Sequence, residues 1–361
     1  MAVDRLRSIA SQIRPAQSGL SAVESWQVAD SRATYKCRAA ALAAGIPHTA
    51  GASSVNRFCS SGLKATQDIA AQISLGSIEI GLAVGGESMS HNDGRELPFS
   101  SELMDASQEV VDLVQHMIQT SENVSTDNNI SRQEQDEYAV ESFRRAEVAQ
   151  KAGWFDDEIV PIRTQMTDPA TGKSVAVCLT QDEGPRYGTD LEKLAKIKPA
   201  MPQLSMTTTG GNASQVTDGA AALLMMKRSK ALALKQPILA KFCGATVTGV
   251  PPRIMGVGPA FAIPKLLAKF HLTKDEVDIY EINEAFGSMA VYCLKTLGLD
   301  HKKLNPRGGA IALGHPLGAT GIRQVCTGLS EARRQKKHIL VTSMCIGTGQ
   351  GMAGLFVNEQ L

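Results

Sequence analysis

Four side chains have types and surroundings suited to covalent chemistry at a carbonyl. Cys59 stands in VNRFCSSGLKA, where an extended approach meets a helix. Its sulfur therefore lies near unpaired backbone N–H groups and the positive end of the helix dipole, both of which favour a thiolate. Small Ser60, Ser61 and Gly62 leave room for an acyl chain, although a structural cysteine reads the segment equally well. His315 sits between Gly314 and Pro316 in NPRGGAIALGHPLGATG, where glycines let backbone approach a ligand closely and packing alone is a poor account of the imidazole. Cys345 closes a strand in VTSMCIGTGQG, ahead of Gly347, Gly349 and Gly351. Its thiol, with a reference pKa of about 8.5, could take and give a proton at carbon, or could simply be buried at a strand end. In EINEAF, Asn283 follows a strand and opens a helix, where its amide can hold a water or a carbonyl, or cap the helix. Ser214, in the small-residue loop TTTGGNASQVTDGAA, could lie along an extended ligand arm, with turn chemistry as the competing account.

Alternating elements must hold these residues. Thr34–Gly45 reads as an Ala-rich helix, Ser53–Arg57 as a short extended lead, Ser60–Leu75 as a helix and Ile78–Val84 as a strand. Ser131 and Glu134 form a capping box for a helix running to Gly153. Glu158–Arg163 and Val175–Leu179 are short extended pieces, and Thr180–Met201 is polar and irregular. The second half continues with strands or extended segments at Ala220–Met226, Pro237–Val250, Val277–Ile282, Ile339–Met344 and Gly351–Val357. Helices are expected at Ala260–Phe270, Asn283–Leu297 and Pro316–Arg334, which completes a layered α/β pattern.

Bulk properties narrow the function. At 361 residues, 43% hydrophobic and 20% charged, the chain can bury one large core or two medium ones. Thirty-seven basic against 36 acidic residues leave a net charge of +1, which gives no footprint for nucleic acid or a membrane surface. Seven scattered cysteines with no CxxC pair argue against a disulfide framework and a zinc site. No apolar stretch is long enough for membrane insertion, and an intracellular compartment is expected.

Cys59, NEAF, GHP and the run Cys345-Ile346-Gly347-Thr348-Gly349, in that order, resemble the thiolase family pattern. NRFCSSGL, GNASQ, GVPPRIMGVGP, NPRGGAIALGHPLG and SMCIGTG look like the peroxisomal 3-ketoacyl-CoA thiolases. The resemblance implies an acetyl-CoA C-acyltransferase that cleaves 3-ketoacyl-CoA with CoA in fatty acid β-oxidation, with CoA as substrate and no cofactor or metal. It implies that His315 activates Cys59, that Asn283 holds a water at the enolate oxygen, and that Cys345 moves the carbon proton. It further implies a second oxyanion hole from the N–H groups of Cys59 and Gly347, CoA contacts at Ser214, and a homodimer. The fold implied is two related βαβαβαββ halves in an αβαβα arrangement.

Divided accordingly, residues 1–22 are a targeting-like segment, 23–228 an N-terminal half with a loop domain about 90–205, and 229–361 the C-terminal half. Arg5-Leu6, five residues, then Gln12-Ile13 resembles an N-terminal peroxisomal signal read by an import receptor, with Ile13 departing from the usual last residue. An unread signal would leave the chain cytoplasmic. Relative to the family, the opening strand and more are absent before ATYKCRAA, so the first half is expected to be incomplete and to lack a central strand. That keeps open an inactive thiolase-like acyl-CoA-binding or dimer-partner chain, while Cys345 speaks against a decarboxylating ketoacyl synthase. Met117-Ile118 stands where relatives carry Met-Gly, and Ile118 is expected to crowd the acyl pocket.

Overall fold

The computed structural model describes residues 20–24 (backbone), 33–91, 99–168 and 170–361. The targeting-like segment through Gly19 lies outside the described residues.

Among the described residues, two four-stranded sheets stand on either side of a helical layer. The first contains β1 (Leu20–Glu24), β2 (Gly51–Ser53), β3 (Ile80–Ser88) and β6 (Asp218–Met226), in the order β2-β1-β3-β6. β4 (Ile162–Thr167) and β5 (Ser174–Leu179) form a separate antiparallel pair. The second sheet contains β7 (Ala240–Gly249), β8 (Ile279–Ile282), β9 (Ile339–Ile346) and β10 (Gln350–Asn358), in the order β7-β10-β9-β8.

Strand periodicity puts a separate core on each face of each sheet. On β3, Ile80, Leu82 and Val84 meet Cys37, Ala40, Ala41 and Ala44 of α1 (Ala33–Ala43) and its end. The intervening Ala83 faces the other way, onto Ala65 and Ile69 of α2 (Ser61–Ser74) and Ala319 and Ile322 of α7 (Leu317–Gln335). On β9, Leu340, Met344 and Ile346 turn towards Leu63, Val325 and Leu329 of that same helical layer. Val341 turns outward to α5 (Gly258–Lys269) and α6 (Gly287–Leu297), through Ile263, Leu266 and Ala290. The resulting order is helix, sheet, helices, sheet, helices, the αβαβα layering expected. The remaining long helices are α3 (Met117–Asp127) and α4 (Arg132–Lys151), and α4 carries the Ser131/Glu134 capping box.

Comparing the halves corrects the expectation of a missing central strand. β10 is flanked by β9 on one side and β7 on the other. Its counterpart β6 pairs with β3, and among the described residues no strand pairs with its other edge. The middle of the first sheet is filled, because β1 pairs parallel with both β2 and β3. β1 also crosses the expected boundary at residue 22. The difference between halves therefore falls at a sheet edge, where one ladder is affected rather than two.

The central layer depends on close backbone approach. A Cβ on Gly85 of β3 would stand 2.2 Å from the Gly318 carbonyl oxygen, and one on Gly62 of α2 would stand 2.9 Å from the same atom. Both obstacles are main chain, so no rotamer change relieves them. Gly85→Ala is expected to destabilise the fold by about 3 kcal/mol through overpacking, read as a lower midpoint in denaturant.

Candidate active site

Cys59 lies in the 3-10 turn Phe58–Ser60 that runs straight into α2. Phe58 has φ of +47°, an uncommon value for a bulky residue. Side chains hold the turn: Asn56 Oδ1 accepts from the Phe58 N–H (2.8 Å), the Ser61 hydroxyl donates to the Phe58 carbonyl (2.8 Å), and the Ser60 hydroxyl donates to that of Arg57 (3.0 Å). The turn packs on both α7 and β9. Cys59 is thereby brought against the elements that carry His315 and Cys345.

The backbone N–H groups of Gly347 and of Cys59 itself bond to the Cys59 sulfur and lower its pKa. Burial outweighs them and pushes the thiol up to about 11. The N–H groups favour the thiolate, as the sequence implies, but desolvation exceeds what they supply and the thiol rests protonated. A carboxylate adds to this: Glu87, at the end of β3, accepts from the Gly318 N–H at 3.3 Å and opposes the thiolate. Burial holds the Glu87 carboxyl up, at about 7.

His315 is buried immediately before α7, and its two ring nitrogens have different partners. Nδ1 lies 2.6 Å from Thr320 Oγ1, and that hydroxyl donates to the Pro316 carbonyl at 3.0 Å. Since Thr320 has one hydroxyl proton, already given, Nδ1 must carry the hydrogen and Thr320 must accept it. Nε2 is left with its lone pair, 3.2 Å from the Asn283 amide nitrogen, which donates to it. Burial lowers the imidazole to about 4. The ring is neutral at pH 7, with the basic nitrogen on the Asn283 side. Thr320→Val, which keeps shape and removes the acceptor, is expected to cost about tenfold in kcat with little change in KM, the worth of one hydrogen bond.

Asn283 is placed differently from the sequence expectation. The helix begins at Gly287 with Phe286 as N-cap, so Asn283 opens no helix. Its N–H extends the sheet to the Ser343 carbonyl (2.9 Å), which fixes the side chain beside His315. Asn283 is 1% exposed, and its Oδ1 has no hydrogen-bond partner among the described residues. NEAF also contains Glu284, a buried structural acid held by Ser142 (2.6 Å), Tyr138 (3.2 Å) and Asn305 (2.7 Å).

Cys345 is fully buried on β9, among Met255, Ala285 and Met289, with its sulfur 3.5 Å from Met289 Sδ. Burial first, and then the nearby Cys59 and Cys293 thiols, push it well above the ordinary thiol range. Met117 packs on this cluster, and a Cβ on Gly347 would stand 3.9 Å from its sulfur. Of the Met117-Ile118 pair, it is Met117 that reaches the cluster, while Ile118 is half-buried at the start of α3. The half-buried Ser214 donates its N–H to the Ala285 carbonyl at 2.9 Å, beside NEAF. Sequence reasoning passed over Thr320 and Glu87. A threonine in the first turn after GHP was the available signal for the former; the latter is set by a contact between the halves. Among the described residues no cluster of His, Cys, Asp or Glu could hold a metal ion, and no helix is long and apolar enough to cross a membrane.

Two sheets around a shared helical layer, with a cysteine turn packed on α7 and β9, a buried Thr-His-Asn chain and a second buried cysteine, define an acyl-transfer class of site. The chain belongs to the thiolase family: residues 22–229 match "Thiolase, N-terminal domain" and residues 236–358 match "Thiolase, C-terminal domain". It is 50% identical to the peroxisomal 3-ketoacyl-CoA thiolase of Yarrowia lipolytica over 89% of this chain and 78% of that protein. To peroxisomal 3-ketoacyl-CoA thiolase A of Mus musculus it is 50% identical over 88% and 75%. The dimeric peroxisomal thiolase of Saccharomyces cerevisiae superposes with a TM-score of 0.90 at 43% identity, covering 99% of this chain and 90% of that one. Human mitochondrial 3-ketoacyl-CoA thiolase in complex with CoA gives 0.84 at 33% identity, covering 98% and 90%.

Proposed function

We propose that this chain catalyses thiolytic cleavage of 3-ketoacyl-CoA by CoA, giving acetyl-CoA and a shortened acyl-CoA, with Cys59 as nucleophile. The acyltransferase class, the role in β-oxidation and the peroxisomal location rest on relatives of that name at about 50% identity. The observation that carries the mechanism is the buried Thr320–His315–Asn283 chain, with ring contacts of 2.6 Å and 3.2 Å, in a fold whose cysteine turn packs on the neighbouring α7 and β9. In this reading residues 23–228 supply Cys59, and residues 229–361 supply Asn283, His315 and Cys345.

Both Cys59 and His315 rest neutral, so sulfur attacks as its proton passes to Nε2. The new S–C bond forms at C3 of the substrate. The C2–C3 bond then breaks, its electron pair passing to acetyl-CoA as an enolate, which Cys345 protonates at C2. His315 and a water held by Asn283 lie at the enolate oxygen. Incoming CoA gives its proton to the Cys345 thiolate and attacks the thioester on Cys59. The Cys59 thiolate leaves and recovers its proton from His315. The thioester oxyanion falls to the N–H groups of Cys59 and Gly347, and the pantetheine arm of the CoA thioester, and then of incoming CoA, runs past Ser214. Homodimerisation, as in the Saccharomyces cerevisiae neighbour, and import through a receptor reading the first 19 residues belong to the same reading.

The test follows loss of acetoacetyl-CoA and of a longer 3-ketoacyl-CoA with purified chain, with and without CoA. CoA-dependent loss is expected. A folded chain without it would instead fit the alternative of a thiolase-like binding or pairing partner.

A further inference from the structure

Behind the Asn283–His315 pair lies a cavity of about 30 Å³. Its lining includes Asn283 and Thr320, the two residues that hold the ring nitrogens of His315, together with Glu281, Arg323, Gln324 and Thr327. Three lining residues carry a buried oxygen without a hydrogen-bond partner among the described residues: Glu281 Oε1, Asn283 Oδ1 and Gln324 Oε1. Glu281 is 4% exposed and Gln324 6%. Gln324 is fixed, because its amide nitrogen donates to the carbonyls of Glu281 (3.1 Å) and Ser343 (3.2 Å) and its oxygen must point elsewhere. A buried polar atom left unpaired is costly, and a polar cavity of this size has room for one or two waters.

We propose that this cavity is an ordered-water site, and that Glu281 acts through the water as a positioning residue for Asn283. The inference rests on the functional reading above only for its effect on turnover. With a single water in the cavity, hydrogen-bond inventory sets the protonation state. One water has two hydrogens, and three ionised or neutral acceptors would need three. A protonated Glu281 carboxyl donates its O–H to the water, which then donates to Asn283 and to Gln324, and every group is satisfied. The surroundings agree: burial first, then the acids Glu284, Glu158 and Glu331, raise the Glu281 carboxyl well above its ordinary range, against the opposing Arg307. Arg323, which also lines the cavity, is committed to Asp182 (2.7 Å) and Glu158 (3.5 Å). Asn283 thus has both ends of its amide fixed, the nitrogen on His315 and the oxygen on the water.

Three readouts test this in the 361-residue chain. A crystal structure is expected to show a density peak within hydrogen-bond reach of Asn283 Oδ1 and of Glu281; a dry cavity overturns the site whatever the activity. The wild-type minus Glu281→Gln infrared difference is expected to show a protonated-carboxyl band, and a carboxylate band instead overturns the inventory. In kinetics, Glu281→Gln replaces an O–H donor with an N–H donor of the same shape and is expected to keep kcat within about twofold. Glu281→Leu, confirmed folded by its melting curve, is expected to lose about tenfold in kcat with KM unchanged. Equal loss in both variants, or none in Glu281→Leu, overturns the positioning role. Should the wild type lack CoA-dependent cleavage, the functional reading fails, while the density peak and the infrared band still decide the water site.

Discussion

Cys59→Ser is expected to lower CoA-dependent cleavage by about four orders of magnitude or more, with melting behaviour close to wild type. The exchange is small in volume, and the turn that carries residue 59 is held by Asn56, Ser60 and Ser61 rather than by the sulfur. The loss is chemical. The Cys59 thiol already sits at about 11 and its proposed base, His315, at about 4, so the proton transfer is uphill even for sulfur. A serine hydroxyl, far less acidic, puts it out of reach of the same imidazole. These values also fix a pH dependence for the free enzyme. Iodoacetamide reacts with the thiolate, whose fraction rises about tenfold per pH unit below 11. Labelling of Cys59 should therefore climb steadily from pH 7 to pH 10 with no plateau, and a plateau near neutral pH would show a preformed thiolate pair instead. Below pH 7 the Glu87 carboxyl, at about 7, takes up its proton and its opposition to the thiolate fades, so the fall on the acid side should be slightly shallower than tenfold per unit.

How far the sequence carried differs by residue. Local signals survived: the Ser131/Glu134 capping box forms, α2 begins after Cys59, and the alternation along β3 and β9 assigns faces correctly. What failed depends on groups distant in the chain. The helix mouth at Cys59 favours the thiolate, but the burial that outweighs it comes with packing against α7 and β9, some 250 to 290 residues away. Asn283 was placed at a helix start because EINEAF passes directly from apolar strand to apolar helix. Nothing local reveals that its N–H continues the ladder to Ser343. The first three residues of β1 fall in the address-like segment of the sequence, because so short a stretch flanked by polar residues carries too little periodicity, and only its pairing with β2 and β3 defines the strand. Thr320 and Gln324 read as ordinary positions on a helix. Their importance is a matter of which face of α7 meets His315 and Glu281.

The second cysteine offers the sharper separation of roles. Cys345→Ala is expected to abolish cleavage to a similar degree as Cys59→Ser, yet to leave iodoacetamide labelling at Cys59 in place. In the proposed mechanism the two thiols do different work: Cys59 forms a bond to carbon, whereas Cys345 only delivers and removes a proton at C2. Its burial among Met255, Ala285 and Met289 keeps it protonated at rest, the form needed to quench an enolate. Alanine fits the same apolar pocket with a modest loss of packing, about 1 to 2 kcal/mol, so the chain should stay folded. Proton exchange isolates the step: acetyl-CoA in D2O should exchange its methyl hydrogens with the wild type, because removal of a C2 proton is the reverse of enolate quenching. Cys345→Ala should stop that exchange. Cys59→Ser should retain a measurable part of it, since exchange needs the base and the enolate-stabilising pair His315 and Asn283 but no acyl-enzyme. If Cys345→Ala still exchanges at the wild-type rate, the proton at C2 moves through another group, with His315 as the remaining base in the site, and the division of labour between the two cysteines is wrong.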